Sequence, residues 1–179
     1  PEAELQERMA KNRSKDRTQH KSYVQLLGKD VPERLDDFQR IKYTDAEKWK
    51  YMKLDYRRRK ELSDHPELKL PDADKVVVPE GKFTKYLFGG NNKDGLPKGR
   101  NFEERLGYNI GNWKMLQKEI QGRASEYPVT LKGNEGFGNR YEQKIVLYGL
   151  KGKPANVVVG WIHRSDGTMS MTSTYIKEV

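Results

Sequence analysis

The chain has 179 residues, of which 35 are Lys or Arg and 26 are Asp or Glu, giving a formal net charge of +9. It contains no cysteine, which excludes disulfides, thiolate nucleophiles and cysteine-ligated metal sites. The basic balance favours an anionic partner, such as nucleic acid or an acidic protein, and no apolar run approaches the roughly 18 residues of a membrane span. Because it opens at Pro1-Glu2 without methionine, we expect a fragment or processed piece of a longer protein.

The first part of the chain, 1–65, is highly charged and predicts helices. A polar helix is predicted over 2–27 and is ended by Gly28, and a short segment follows over 33–42. Thr44 and Glu47 have the spacing of a capping box, which predicts a third helix from Thr44 to about Leu62. The apolar positions are too sparse to bury these helices well, so we expect a loosely packed docking or delivery region.

Residues 66–81 are rich in Pro, Asp and Gly and predict a linker, with a short edge strand at Val76–Val78. From Lys82 onward the pattern is α+β. We predict a helical turn at 82–88, helices over 100–106 and from Asn112 to about Gln121, and a strand over 128–132. The predicted fold class is therefore α+β, with an N-terminal helical region followed by a small helix-plus-antiparallel-sheet domain at 82–179.

The last forty residues predict a three-stranded meander, with strands at 140–148, 156–164 and 169–177. Lys151-Gly152 and Asp166-Gly167 are interpreted as two-residue hairpin turns, because Gly supplies the positive φ that such turns need. This register pairs Glu142 with Trp161, and Trp161 with Thr172. Side chains alternate between the faces of a strand, so one core face is predicted with Tyr141, Ile145, Leu147, Val158, Ile162, Met169, Met171 and Tyr175.

The opposite face is predicted to be open, polar and basic, and to carry Arg140, Glu142, Lys144, Trp161, His163, Ser170, Thr172 and Thr174. A carboxylate, an imidazole and cations on one surface can cleave RNA without metal. Glu142 or His163 would exchange protons with the 2′-hydroxyl and the leaving 5′-oxygen, and Arg140 and Lys144 would stabilise the charge on phosphorus. The alternative interpretation is an ordinary solvent-facing sheet surface.

Further phosphate contacts are predicted where Lys98-Gly99-Arg100 precedes a helix, because helix N-termini favour anions. The alternative is a charged surface loop. Other chemistries lack their motifs: the three histidines have no ligand spacing, the acidic residues form no magnesium cluster, and the Gly-rich segment 133–139 lacks the Lys-Ser/Thr of a nucleotide-binding loop. We therefore expect no cofactor and no metal.

Two stretches of the sequence resemble known families. The stretch 20–56, with Leu27-Gly28, Val31-Pro32, Asp37-Phe38-Gln39 and Leu54-Asp55-Tyr56, resembles a segment of Gram-positive phage minor head (head-morphogenesis) proteins and of related secreted polymorphic toxins. Residues 82–178 resemble a small toxin-like domain through Lys82, Lys85-Tyr86-Leu87, Lys98-Gly99-Arg100, Leu106-Gly107-Tyr108, Tyr141-Glu142, Gly160-Trp161-Ile162 and Thr172–Tyr175. Such domains are similar to the barnase/EndoU/colicin/RelE-like ribonuclease group.

The resemblance implies a metal-independent ribonuclease toxin domain, directed at tRNA or rRNA and carried by a phage head or secreted protein. It implies RNA-binding roles for Lys98, Arg100, Trp161 and Tyr175, and catalytic or positioning roles for Glu142, Thr172 and Thr174. Lys82 and Lys85 are further predicted RNA contacts. His163 departs from the pattern. An acidic immunity protein is the expected partner, and residues 1–65 would contact phage capsid or portal proteins. The expected location is a phage virion or secreted carrier, with action in the bacterial cytoplasm.

A second interpretation comes from another class of protein. The chain would then be a non-enzymatic module of a phage particle that binds DNA or capsid protein through its basic surface. A third interpretation is a protein-interaction adaptor. An enzyme would lose activity when a catalytic group is replaced, whereas a charge-driven binder would instead weaken with added salt.

Overall fold

We describe the protein from a computed structural model that covers Pro1–Val179. The chain divides into two compact units, Pro1–Lys60 and Glu61–Val179. Helices precede a four-stranded antiparallel sheet, which confirms the predicted α+β class. None of the helices is both long and apolar enough to cross a membrane.

The first unit is built from helices α1 (Glu2–Leu27), α2 (Leu35–Thr44) and most of α3 (Ala46–Asp64), whose last four residues belong to the second unit. Gly28 ends α1 with a φ of 54°, as predicted. The cap of α3 lies one residue later than predicted, because Asp45 Oδ1 accepts a hydrogen bond from Lys48 N, while the Thr44 hydroxyl bonds back to Arg40 O within α2. The predicted Thr44 cap is therefore wrong.

Aromatic rings and buried charges hold the first unit together. The Tyr23 ring stacks on Tyr56 with centroids 4.4 Å apart and meets Phe38 edge-on at 5.4 Å. Asp16 is fully buried in α1, and its carboxylate accepts hydrogen bonds from Lys42, Tyr43 and Gln39 at 2.8–3.0 Å. The buried polar groups therefore have hydrogen-bond partners within the unit. Together with the aromatic contacts, they let the helices pack although apolar residues are sparse.

The second unit contains the sheet, in the order β1 (Val129–Asn134), β2 (Asn139–Leu147), β3 (Ala155–His163) and β4 (Met169–Ile176). Val77 bridges to Ser170 beside β4, where an edge strand was predicted. Helices α4 (Gly95–Leu106) and α5 (Trp113–Arg123) precede the sheet, together with a π-helix, Lys82–Leu87. The segment predicted as a linker contributes Leu70, Ala73 and Val78 to the core.

The register of the sheet differs from the predicted one in both hairpins. Seven residues, 148–154, join β2 to β3 in place of a two-residue turn, and Glu142 therefore pairs with Gly160. Between β3 and β4 a β-bulge inserts one extra residue at Thr172, so Trp161 pairs with Met171 and Gly160 with Ser173. The predicted pair of Val159 with Thr174 is correct, because it lies beyond the bulge.

These shifts exchange the faces of several predicted residues, since a one-residue slip turns a side chain to the other face. Trp161 is 1% exposed in the core, where its indole Nε1 donates to Gln143 Oε1 at 3.1 Å, and Thr174 is 3% exposed on the same face. Trp161, His163 and Thr174 therefore lie on the face of Ile145 and not on the predicted open face, although His163 is still 29% exposed at the end of its strand. Val158, Ile162 and Tyr175 lie on the opposite face, so the face predicted for them is wrong even though Val158 and Ile162 are buried. The face that carries Glu142 also holds buried Val146, Val158 and Ile162.

Helix α4 lies close against the π-helix because two of its residues have no side chain. A Cβ at Gly99 would stand 1.8 Å from Leu87 O, and one at Gly95 would stand 2.2 Å from Tyr86 O. We predict that Gly99→Ala lowers the free energy of unfolding by about 2 kcal/mol, since the backbones must move apart. The measurement is urea unfolding followed by circular dichroism.

The matched control is Gly122→Ala in α5, where no atom lies within 4 Å of the added methyl group. There the better helix propensity of Ala should raise stability by about 0.5–1 kcal/mol. Equal effects of the two substitutions would contradict the close packing of α4 on the π-helix.

The buried Asp16 carboxylate makes the first unit sensitive to acid. Burial alone would raise the pKa of Asp16, but hydrogen bonds from Lys42, Gln39 and Tyr43 outweigh it and lower that pKa. Its stabilising contribution should therefore be complete above the unfolded pKa of about 3.9 and be lost as the pH falls further. We expect Asp16→Asn to cost about 2 kcal/mol at pH 7.

Asp36→Asn serves as the control for this prediction, because Asp36 pairs with Arg13 at 2.8 Å but is about half exposed. Its cost should stay below about 1 kcal/mol. Urea unfolding of both variants at pH 7 and pH 3 measures the difference. If Asp16→Asn is neutral at pH 7, the carboxylate network does not stabilise the unit.

Candidate functional site

A cavity of about 470 Å³ lies between the π-helix and the bulged part of β4. We call it the β4-edge cavity. Its walls come from the loop before the π-helix, the π-helix itself, the loop before α4 and the bulge. The lining residues are Pro79, Gly81, Lys82, Lys85, Tyr86, Asn92, Thr172 and Ser173.

The π-helix gives the cavity its basic wall. Phe88 N donates to Phe83 O at 2.8 Å, five residues back, which is the hydrogen bond of a π-turn. Phe83 and Leu87 are buried in the core, while Lys82, Lys85 and Tyr86 line the cavity. Single π-turns are rare in proteins, and many of those that occur are found at functional sites.

The β4 bulge supplies the hydroxyl groups opposite that wall. A Cβ at Gly160 would stand 2.7 Å from Ser173 Oγ and 2.9 Å from Thr172 Oγ1, so both hydroxyls occupy the space above this glycine. Bulges re-aim side chains at the edges of sheets. The lack of a side chain at Gly160 therefore allows two adjacent hydroxyls of β4 to lie at the same place.

A third lysine lies behind Tyr86. The ammonium of Lys98 is 5.5 Å from the centroid of the Tyr86 ring and 5.6 Å from that of Tyr175, and Lys98 Nζ donates to the Tyr86 hydroxyl at 3.3 Å. Lys98 is thus held by two aromatic rings and by a hydrogen bond to a residue of the cavity wall. These contacts fix both the ring and the hydroxyl of Tyr86.

The charges of the lining are of one sign. It contains two ammonium groups, three hydroxyls and one amide, and no carboxylate. Ammonium and hydroxyl groups donate hydrogen bonds to anionic oxygen, so the cavity is suited to phosphate or another anion. No group of three or more His, Asp or Glu side chains is arranged to hold a metal ion.

His163 lies apart from this cavity. Its Nε2 is 2.9 Å from Asp72 Oδ2, and both side chains are about one-third exposed. Asp72 has a φ of 54°, a left-handed conformation that no other non-glycine residue of the chain adopts. Neither residue lines the cavity, and the partner of His163 was not predicted from the sequence.

The predicted site residues fall into three groups. Lys82, Lys85 and Thr172 line the cavity, Lys98 contacts its wall at Tyr86, and Tyr175 contacts Lys98. Arg140, Glu142 and Lys144 share one face of β2, where Glu142 lies in register with Ser173 across Gly160. Trp161 and Thr174 are in the core, and an exposed, stacking role for Trp161 is therefore wrong.

Arg100 does not line the β4-edge cavity. Helix α4 begins at Gly95, so Lys98 and Gly99 lie inside the helix and not at its N-terminus. Arg100 instead lines a smaller cavity of about 190 Å³ with Phe88 and Ile110. The predicted anion site at this N-terminus is wrong, and the glycine serves the close packing of α4.

Sequence reasoning missed four residues of the cavity or of its support: Tyr86, Asn92, Gly160 and Ser173. Tyr86 was present in the Lys-x-x-Lys-Tyr pattern, which places two lysines and an aromatic ring on one helical turn. Gly160 was the other signal, because glycine inside a strand indicates a bulge or a close approach. Asn92 gave no distinct signal in its polar loop.

Residues 69–178 match the family described as Domain of unknown function (DUF6883), which covers more than half of the chain. The chain belongs to this family. The DUF6883 region contains the whole β4-edge cavity and the sheet. No curated protein matches the chain.

Part of the chain is similar to a solved structure, the "Contact-dependent growth inhibition toxin - immunity protein complex from Klebsiella pneumoniae 342". The two are 19% identical, and the similarity covers 57% of this chain and 100% of that chain, with a TM-score of 0.47.

Because Gly160 has no side chain, a substitution there tests whether the hydroxyls above it bind an anion. We predict that Gly160→Ala weakens the binding of inorganic phosphate about tenfold, because the methyl group displaces the Ser173 and Thr172 hydroxyls. Calorimetric titration with phosphate measures the effect, and circular dichroism checks that the fold is kept.

A double variant supplies the control. Ser173→Ala removes one of the two clashing atoms, so Gly160→Ala should cost less affinity in the Ser173→Ala background than in the wild type. Identical losses in both backgrounds would show that Gly160 does not act through the bulge hydroxyls.

Proposed function

We propose that the DUF6883 region of this chain is a ribonuclease toxin domain, which binds RNA in the β4-edge cavity and cleaves it without a metal ion. The observation that carries the proposal is the meeting of Lys82, Lys85, Tyr86, Thr172 and Ser173 around one cavity with no carboxylate in its lining. The chain's charge of +9 adds a general attraction for the RNA backbone.

The cleavage would proceed by transfer within the RNA. The 2′-oxygen forms a bond to the adjacent phosphorus as its proton leaves, and the bond from phosphorus to the 5′-oxygen breaks as that oxygen gains a proton. The products are a 2′,3′-cyclic phosphate and a 5′-hydroxyl. Lys82 and Lys85 would stabilise the charge that develops on phosphorus, and the Thr172 and Ser173 hydroxyls would position the phosphate oxygens.

Two groups are assigned to the proton transfers. Tyr86 would protonate the leaving oxygen, because its hydroxyl is on the cavity wall and is held by Lys98. Glu142 would accept the 2′-hydroxyl proton: it does not line the cavity, but it lies in register with Ser173 across Gly160, on the sheet face to which the two bulge hydroxyls turn. The role of His163 as acid or base stays a prediction. It is not used in this mechanism, because His163 contacts Asp72 and does not line the cavity.

The partners follow from the same charges. An acidic immunity protein would neutralise the domain by covering the lysines of the cavity. The helical residues 1–65 would serve for docking or delivery, on a phage head or a secreted carrier, and the toxin would act in the bacterial cytoplasm.

The decisive experiment is incubation of the full chain with total RNA in EDTA. We predict discrete cleavage by the wild type and a loss of about 100- to 10,000-fold in the rate for Tyr86→Phe and Glu142→Gln, which remove the proton-transferring groups. Lys85→Gln should lose at least about 100-fold. Gel analysis of timed samples, with detection of the cyclic phosphate, measures the outcome.

Lys93→Gln is the matched control, because Lys93 is exposed in the neighbouring loop and does not line the cavity. His163→Ala should also keep its activity under this assignment. Loss of cleavage in His163→Ala alone would move the chemistry to the pair with Asp72. The non-enzymatic basic module would be favoured by a different result: the wild type leaves RNA intact, and RNA binding weakens with salt but is unchanged by all these substitutions.

A further inference from the structure

The side-chain amide of Asn92 is held in one orientation at the edge of the cavity. Its Oδ1 accepts hydrogen bonds from Asp94 N at 2.9 Å and from Gly95 N at 3.0 Å, at the start of α4. Two backbone N–H donors require an oxygen at this position, so the two ends of the amide cannot be exchanged. The amide nitrogen is therefore left free to donate to a ligand, and no group of the chain accepts from it.

The rest of the lining shares this donor character. Lys82 and Lys85 can only donate hydrogen bonds, and the one amide oxygen is occupied by the α4 backbone. Only hydroxyl oxygens remain as side-chain acceptors. A ligand group that itself must donate, such as an exocyclic amino group, finds few side-chain partners here.

The cavity is also larger than a phosphate requires. A volume of about 470 Å³ lies within the ~300–1,000 Å³ range of sites that enclose small organic ligands. The Tyr86 ring in its wall is an aromatic surface of the kind on which unpaired bases stack. Space, an aromatic ring and an oriented amide donor thus accompany the phosphate-binding groups.

From these observations we infer that the β4-edge cavity contains a nucleobase subsite that selects keto bases, guanine and uracil, over the amino bases adenine and cytosine. Asn92 is its specificity-determining residue. The Asn92 amide N–H donates to a carbonyl oxygen of guanine or uracil, whereas at the same edge adenine and cytosine present an amino group that cannot accept it. The inference rests on the proposed function and names the substrate class of that site.

The experiment is a set of calorimetric titrations with the four nucleoside 3′-monophosphates and with inorganic phosphate, on the full chain. We expect the wild type to bind the guanosine and uridine monophosphates about tenfold more tightly than the other two. Asn92→Ser keeps a side-chain oxygen that can cap α4 but removes the amide donor. It should bring the ratio of the keto to the amino nucleotides close to one, with the fold kept as checked by circular dichroism.

Asn91→Ser is the matched control, since Asn91 is the adjacent exposed asparagine and does not line the cavity. It should keep the tenfold preference. Two results would overturn the inference: equal binding of the four nucleotides by the wild type, or a keto preference that is kept in Asn92→Ser. In either case, binding of inorganic phosphate by the wild type would still support the proposed site. A keto preference without any RNA cleavage would contradict the proposed ribonuclease and leave the subsite supported.

Discussion

The extra residue that β4 carries at Thr172 is the constraint on which the site depends. It sets the pairing of Trp161 with Met171 and of Gly160 with Ser173, and so decides which side chains enter the core. It also brings two hydroxyls to the space above Gly160, beside the lysines of the π-helix. Without the bulge, Thr172 would pair in the ladder and the cavity would lose one of its walls.

The π-helix is the second element that the site requires, and it is held by packing rather than by propensity. Phe83 and Leu87 anchor it in the core, and the glycines of α4 let the backbones approach closely. This leaves Lys82, Lys85 and Tyr86 on the outer side of one helical turn. Lys98 then adds a positive charge that contacts Tyr86 and Tyr175 without lining the cavity.

Much of the fold could be predicted from periodicity and capping. The bounds of α1 and the three C-terminal strands follow from Gly28, from alternation and from the glycine turns. The register was not predicted, because the alternation of the strands shows neither a bulge nor a seven-residue loop, and Gly160 indicates a bulge or a close approach without showing which residue is the extra one. The face predicted for Trp161 was therefore wrong, although Tyr141, Ile145 and Leu147 were correctly assigned to the core face.

The candidate site was predicted in part. Lys82, Lys85 and Thr172 came from the pattern of basic and hydroxyl residues, and they do meet. Glu142 and His163 were expected on the same face of the sheet, but the shifted register places them on opposite faces. The role of Asn92 could not be predicted, because it follows from the position at which α4 begins. Gly95 is a poor signal for a helix start, since glycine has low helix propensity.

The proposed function depends first on the binding of RNA in the β4-edge cavity. This binding is tested most directly by nuclear magnetic resonance titration of the isotope-labelled chain with a short single-stranded DNA, which lacks the 2′-hydroxyl and cannot be cleaved by this route. The account predicts that the largest amide shifts fall on Lys82–Leu87 and on Thr172 and Ser173. Shifts concentrated at Asp72 and His163, or spread evenly over the lysines of the surface, would contradict it.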